Sequence, residues 1–199
     1  MARWHAARTR IQLKLAIQRA HMLQEKKAAL ANRARLDIAE LVGRGRMETA
    51  RVKTESLILD DIHTELLELL ELYCEMLYAR FALLELKTDA PDPAIREPLI
   101  AVIHAAHHTD APELHVLQDM LCARYGADFA QAALDNRDGC VSERVTKKLA
   151  YHIAPPDLVD AYALADSEAA DTPVPAAEAP QGDSEWGALM KRFEALKHP

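Results

Sequence analysis

Apolar residues recur with a helical period along most of this chain. From about Ala7 to Val42 the pairs Leu15/Ala16, Met22/Leu23, Ala29/Leu30 and Leu36/Ile38 keep a seven-residue beat, which predicts one long helix. The pattern stops at Gly43-Arg44-Gly45, where two glycines can take the positive φ that ends a helix. A second long helix is predicted from about Met47 to Leu86. Leu59, Ile62, Leu66, Leu69, Tyr73, Leu77 and Leu84 share its apolar face, and Glu65, Glu68, Glu71 and Glu75 decorate the remainder. At 1.5 Å of rise per residue each rod is about 50 to 60 Å long. Two such rods joined by a three-residue turn make an antiparallel hairpin.

Thr88-Asp89-Ala90-Pro91-Asp92-Pro93 breaks the pattern. Shorter helices are expected at Ile95 to His107, Ala111 to Tyr125, Asp128 to Asn136, Ser142 to His152 and Pro156 to Asp166, with turns at Gly126, Asn136 to Gly139 and Pro155-Pro156. Pro112 and Pro156 fall in first helical turns, where a missing N–H costs nothing. These pieces are expected to cover the hairpin, because a bare hairpin leaves much of its apolar surface wet. The fold class is all-α, with a helical domain over residues 1–166. Residues 167–182, rich in Ala, Pro and acids, cannot bury enough surface to offset chain entropy and read as a disordered linker. From 183 to 199, Trp186, Leu189, Phe193 and Leu196 return to the spacing of one helical face, with no domain nearby in sequence for that face to pack on.

Half of the residues are hydrophobic and aromatics are sparse, which suits helices and one sizeable core. Cys74, Cys122 and Cys140 are odd in number and form no C-x-x-C pair, which suggests neither a disulfide framework nor a zinc site and fits a reducing compartment. The longest uncharged run, Pro98 to Thr109, is too short for a membrane span. Residues 1–24 carry five cations and no acid, as a mitochondrial presequence can, but the helical beat runs through them without a break and argues for a structural helix.

Charge is partitioned. Met1 to Glu55 holds thirteen Lys and Arg against five acids, whereas the remainder is acidic by fifteen. The basic helix either neutralises the acidic one beside it or meets anionic lipid or a neighbouring subunit, with Arg8, Arg10, Lys14, Arg19, Lys26, Lys27 and Arg33 as the contact residues. Nucleic acid is disfavoured because the few aromatics sit mostly at apolar helix positions.

Several blocks are recognisable in order: Lys14 to Val42, KLAIQRAHMLQEKKAALANRARLDIAELV; Met47 to Asp61; LELYCEMLYARFALLE at Leu70 to Glu85; YGADFAQAALDN at Tyr125 to Asn136; VSERVTKKL at Val141 to Leu149; and Pro155-Pro156-Asp157-Leu158. Together they resemble the amino-terminal domain of the increased-sodium-tolerance family of ESCRT-III-related proteins, over about residues 8–168. The resemblance implies an ESCRT-III-like hairpin with additional packed helices. It further implies regulation of the AAA ATPase that disassembles ESCRT-III during multivesicular body sorting and membrane scission. The expected partners are that ATPase and the charged multivesicular body protein-1 class of ESCRT-III subunits, with membrane-bound polymers as a further assembly. The expected location is cytoplasmic, recruited peripherally to endosomal membranes.

The tail is similar to a type-1 MIT-interacting motif, a short helix that lies in the groove of a three-helix MIT domain. Leu189, Phe193 and Leu196 fall within about 60° on a helical wheel, with Arg192 and Lys197 on opposite flanks. Phe193 stands where leucine is commoner, and Trp186 where an acid is usual. Burying three such anchors stabilises a complex by about 5 to 8 kcal/mol before the cost of ordering the segment, which points to micromolar affinity.

Enzyme chemistry finds little support. His104-x-x-His107-His108 with His115 lacks a carboxylate or cysteine at ligand spacing, and Asp60-x-x-His63 lacks the second copy a di-iron bundle needs. No phosphate-binding glycine loop or G-x-S-x-G is present. The expectation is a protein that acts by binding, without metal or cofactor. Its alternative is a polymerising, membrane-remodelling subunit whose tail is mainly an autoinhibitory latch.

Overall fold

A computed structural model describes residues 4–86, 88, 90–150 and 159–162. Two long helices, α1 (Ala6–Gly43) and α2 (Met47–Ala79), run antiparallel as the expected hairpin. The turn between them is a Schellman motif in which Gly45 alone takes positive φ, at 72°, while Gly43 stays helical. Arg46 N–H donates to the Leu41 carbonyl at 2.9 Å and Gly45 N–H to that of Val42 at 2.9 Å, which satisfies the orphan carbonyls of α1.

The second long helix does not continue to Leu86. It stops at Ala79, Arg80 leaves helical geometry at φ −105° and ψ 29°, and a short α3 (Phe81–Glu85) follows. This kink sends both Phe81 and Leu84 into the core. It also delivers the Arg80 guanidinium to the carbonyl of Ala94 at 2.6 Å. That carbonyl lies four residues before Pro98, which has no N–H to offer it. A proline inside α4 (Pro93–Ala105) is thus accommodated by an arginine from the kink. Asp92 caps α4, accepting from Ala94 N–H at 2.8 Å.

α4 is buried almost throughout, from Pro98 to Ile103, and forms the centre of the molecule. Around it pack α1 (Leu13, Ala16), α2 (Leu66, Leu70, Tyr73, Leu77) and α5 (Pro112–Tyr125; Leu114, Leu117, Leu121). A 3₁₀ turn at Ala106–His108 leads into α5, and Gly126, at φ 88°, separates α5 from α6 (Ala127–Leu134). A left-handed turn at Asn136 and Asp138 precedes α7 (Glu143–Ala150), and Asn136 Oδ1 accepts from Val141 N–H at 2.9 Å. Residues 159–162 are helical. The rest of the stretch expected from Pro156 to Asp166, together with 167–182 and 183–199, lies outside the described residues.

The short helices therefore cover one end of the hairpin. At the other end α1 and α2 hold each other through a small cluster of Ala31, Ile38, Ala50 and Leu57. Flanking ion pairs join Lys27 to Asp60 at 2.8 Å, Arg35 to Asp61 at 3.0 Å and Lys53 to Asp37 at 3.1 Å.

Candidate partner-binding surfaces

α1 has two faces, and the seven-residue beat in its sequence mixes them. The buried row is Leu13, Ala16, Ala20, Ala31 and Ile38, mostly small side chains that let α2 approach closely. Leu15, Met22, Leu30 and Leu36 of the beat are exposed, as is Ile11. At 100° per residue Ile11, Leu15, Met22 and Leu36 fall in an arc of about 60°, diametrically opposite Ala20 and Ile38. The outer face of the basic helix thus carries exposed apolar residues, Met22 at 58% and Leu36 at 65% exposed, interleaved on the same arc with Gln18, Arg33 and Glu40.

The nominated cations divide between the two possibilities raised by the charge pattern. Arg19 meets Glu113 at 3.5 Å and Lys27 meets Asp60, so these neutralise neighbouring helices. Arg10 and Lys14 lie over the Tyr78 ring, at 5.5 and 5.3 Å from its centre. A hydrogen bond from Lys14, with Arg10 assisting, holds the Tyr78 hydroxyl below the usual phenol range. Arg33 pairs with Asp37 of its own helix at 3.6 Å. Arg8 and Lys26 are exposed and make no ion pair among the described residues. The nominated tail residues Leu189, Arg192, Phe193, Leu196 and Lys197 lie outside the described residues.

A groove opens between the start of α1 and the outer side of α5, with a volume of about 460 Å³. Trp4, His5 and Arg8 form one wall, and Val116, Asp119, Met120 and Ala123 the other. The walls are fixed to each other: Gln12 Nε2 donates to the Glu113 carbonyl at 2.8 Å, and Thr9 Oγ1 lies 3.8 Å from Met120 Sδ. Beneath them Arg124 acts as a clasp. Its guanidinium lies 5.2 Å from the Trp4 ring and 4.8 Å from that of Tyr125, and donates to the carbonyls of Leu84 at 2.9 Å and Leu86. The Trp4 indole N–H is buried and has no acceptor among the described residues.

Sequence reasoning passed over this groove. Its signal was present in α5, where Leu114, Leu117 and Leu121 define the core face while Val116, Met120 and Ala123, spaced i, i+4, i+7, define a second apolar face.

A shallower groove of about 390 Å³ runs between α2 and α7, lined by Glu65, Glu68, Leu69, Leu72, Arg144 and Lys148, with Lys148 paired to Glu65. Further along α2, Val159 and Tyr162 pack on Ile58 and Ile62, and Arg51 holds Asp160 at 2.7 Å.

The reactive groups are occupied structurally. Burial pushes the Cys74 thiol up to about 12 and that of Cys122 up to about 11, so neither offers a thiolate at neutral pH. His104 Nδ1 lies 3.0 Å from the Ala133 carbonyl and His115 Nε2 3.0 Å from that of Thr109. Among the described residues no group of three or more His, Cys, Asp or Glu side chains is arranged to hold a metal, and no helix is long and apolar enough to cross a membrane.

Comparison with known proteins matches residues 10–170 to a family model described as "Ist1: Regulator of Vps4 activity in the MVB pathway". The chain is 34% identical over 170 residues to vacuolar protein sorting-associated protein IST1 of Saccharomyces cerevisiae, covering 81% of this chain and 56% of that protein. It is 35% identical over 157 residues to the ist1 protein of Schizosaccharomyces pombe, covering 78% and 57% respectively. This chain thus spans about half the length of the curated relatives it matches. Among solved structures it resembles the S. cerevisiae Ist1 N-terminal domain in complex with the Did2 MIM motif, with a TM-score of 0.75 and 31% identity over 87% of this chain and 95% of that one.

Proposed function

The chain belongs to the Ist1 family of regulators of Vps4 activity in the MVB pathway, and on that premise we propose that it is a non-enzymatic adaptor with two binding elements. The helical domain takes an ESCRT-III subunit of the charged multivesicular body protein-1 class, and the tail takes the MIT domain of the Vps4-type AAA ATPase. The observation that carries this reading is the similarity, over most of the chain, to a domain solved with a MIM motif. The spacing of Leu189, Arg192, Phe193, Leu196 and Lys197 supplies the second half.

Deleting residues 183–199 tests the division of labour. Titration of the truncated chain with a MIM-helix peptide of the ESCRT-III subunit should match the full chain, while binding of the ATPase's MIT domain should be lost. Loss of both, or of neither, would contradict two separate elements.

The outer face of α1 favours a second reading, in which the hairpin also assembles. Its exposed Ile11, Leu15, Met22 and Leu36, beside Arg8 and Lys26, which make no ion pair among the described residues, suit an acidic apolar-patched surface on a neighbouring subunit or an anionic membrane. In this reading the domain builds the polymer on which the ATPase acts.

A further inference from the structure

Four of the nine histidines, His104, His107, His108 and His115, fall in the last turn of α4, the 3₁₀ turn after it and the first turns of α5. They form two ring pairs. The His104 and His108 rings have centres 6.2 Å apart, and those of His107 and His115 lie 5.4 Å apart with their planes tilted by 42°. A divalent ion held at a metal–nitrogen distance of 2.0 to 2.1 Å sits about 3.2 Å from each imidazole centre, so two rings on one tetrahedral ion have centres roughly 5.2 Å apart. The His107–His115 pair matches that spacing, whereas the His104–His108 pair is too wide.

The hydrogen bonding of His115 sets its tautomer. Its Nε2 lies 3.0 Å from the Thr109 carbonyl, which can only accept, so Nε2 carries the proton and the lone pair of the neutral ring is on Nδ1. An imidazole oriented by a carbonyl through one nitrogen, with the other nitrogen left to face an ion, is the usual arrangement of a metal-binding histidine. The orienting residue is itself fixed, because Thr109 N–H and Oγ1 both donate to the Ala106 carbonyl, at 3.2 and 2.8 Å. His107 is exposed and makes no hydrogen bond or ion pair among the described residues, which leaves its ring able to turn a nitrogen towards His115.

The local charges also suit a cation. The pair lies just past the C-terminal end of α4, where the last carbonyls of the helix carry partial negative charge. Asp110, exposed in the same turn, adds a full one. Lys27 of α1 lines the adjoining pocket with His108, Thr109 and Asp110, but Asp60 neutralises it at 2.8 Å.

We propose that His107 and His115 bind one divalent transition-metal ion, Zn²⁺ being the match to two neutral imidazoles in tetrahedral geometry. Among the described residues no third His, Cys, Asp or Glu joins them, so water completes the coordination. The bound ion ties the 3₁₀ turn to α5 across the loop between them. Half the ligands of a structural zinc site give roughly half its binding free energy, which corresponds to a Kd on the order of ten micromolar. The ion therefore comes and goes with the free metal concentration.

Calorimetric titration of the full chain with Zn²⁺ tests this, beside His107→Gln, His115→Gln and His104→Gln chains. Gln at position 115 keeps an N–H for the Thr109 carbonyl, and position 107 is exposed, so either substitution removes a ligand while leaving the fold in place. The parent should bind one Zn²⁺ that Mg²⁺ does not replace, since Mg²⁺ takes oxygen ligands. His107→Gln and His115→Gln should each weaken that binding at least tenfold, and His104→Gln by less than twofold. At ten times Kd the ion should raise the unfolding midpoint of the parent by about 3 to 6 °C, a shift lost in the first two variants. No binding by the parent at several hundred micromolar Zn²⁺ would overturn the proposal. So would binding that survives both His107→Gln and His115→Gln, which would assign the ion to other residues of the chain.

Discussion

At the scale of single residues, stability rests on a few polar side chains that hold backbone groups. Gln118 is buried, and its Nε2 donates to the Ile103 carbonyl at 2.9 Å, one of the last carbonyls of α4. Gln118→Ala leaves that carbonyl without its partner and is expected to destabilise the domain by about 1 to 3 kcal/mol in denaturant unfolding. Arg124 joins α3, α5 and the N-terminal Trp4 through its planar fork and ring contacts. Arg124→Lys, which keeps the charge but loses the stacking and the fork, should expose Trp4 to quencher and lower the unfolding midpoint. Cys74, fully buried with its thiol raised to about 12, should resist thiol reagents at neutral pH until the domain unfolds, read by mass-spectrometric labelling. None of the hydrogen-bond roles was legible in the sequence, because a Gln or Arg on a helix shows its type but not the carbonyl it reaches. The packed position of Cys74 was legible from its apolar neighbours.

At the scale of helices, the two periods that count were unequally visible. α2 carries its core residues mostly as leucines on a clear face, so Leu66, Leu69, Tyr73 and Leu77 were identified and are buried, as is Leu84 in α3, while Leu59 and Ile62 of the same expected face are half-buried. α1 carries much of its core as alanines, and several of its larger apolar residues, Ile11, Leu15, Met22 and Leu36, lie on the opposite side. A reading weighted towards large side chains therefore follows Leu15, Met22 and Leu36 to the outer face. The break at Arg80 was hidden for a related reason, since the sequence on both sides is helix-forming and the kink is set by the packing of Phe81 and Leu84.

These differences make opposite predictions for substitution. Leu70→Ala or Leu77→Ala, at fully buried positions, should cost about 2 to 5 kcal/mol. Met22→Gln, on the exposed face, should change stability by less than about 0.5 kcal/mol. If the outer face assembles, Met22→Gln with Lys26→Glu should nevertheless reduce polymer sedimentation, and undiminished assembly would remove that reading.

At the scale of the whole molecule, the short helices consolidate one end of the hairpin and leave the outer side of α1 open along its length. Fold class was legible because the helices carry their own period and the breaks other than that at Arg80 lie at Gly or Pro. The α1–α5 groove was not, because it joins residues more than a hundred positions apart. As proposed above, the domain and tail are separate binding elements of one adaptor, with the tail recruiting the ATPase. The most direct test is to titrate the full chain with the MIT domain of the Vps4-type ATPase, beside a Leu196→Asp chain. Saturable binding in the micromolar range that Leu196→Asp abolishes is the predicted result. Equal binding by both chains, or none at several hundred micromolar even for the isolated 183–199 peptide, would contradict it.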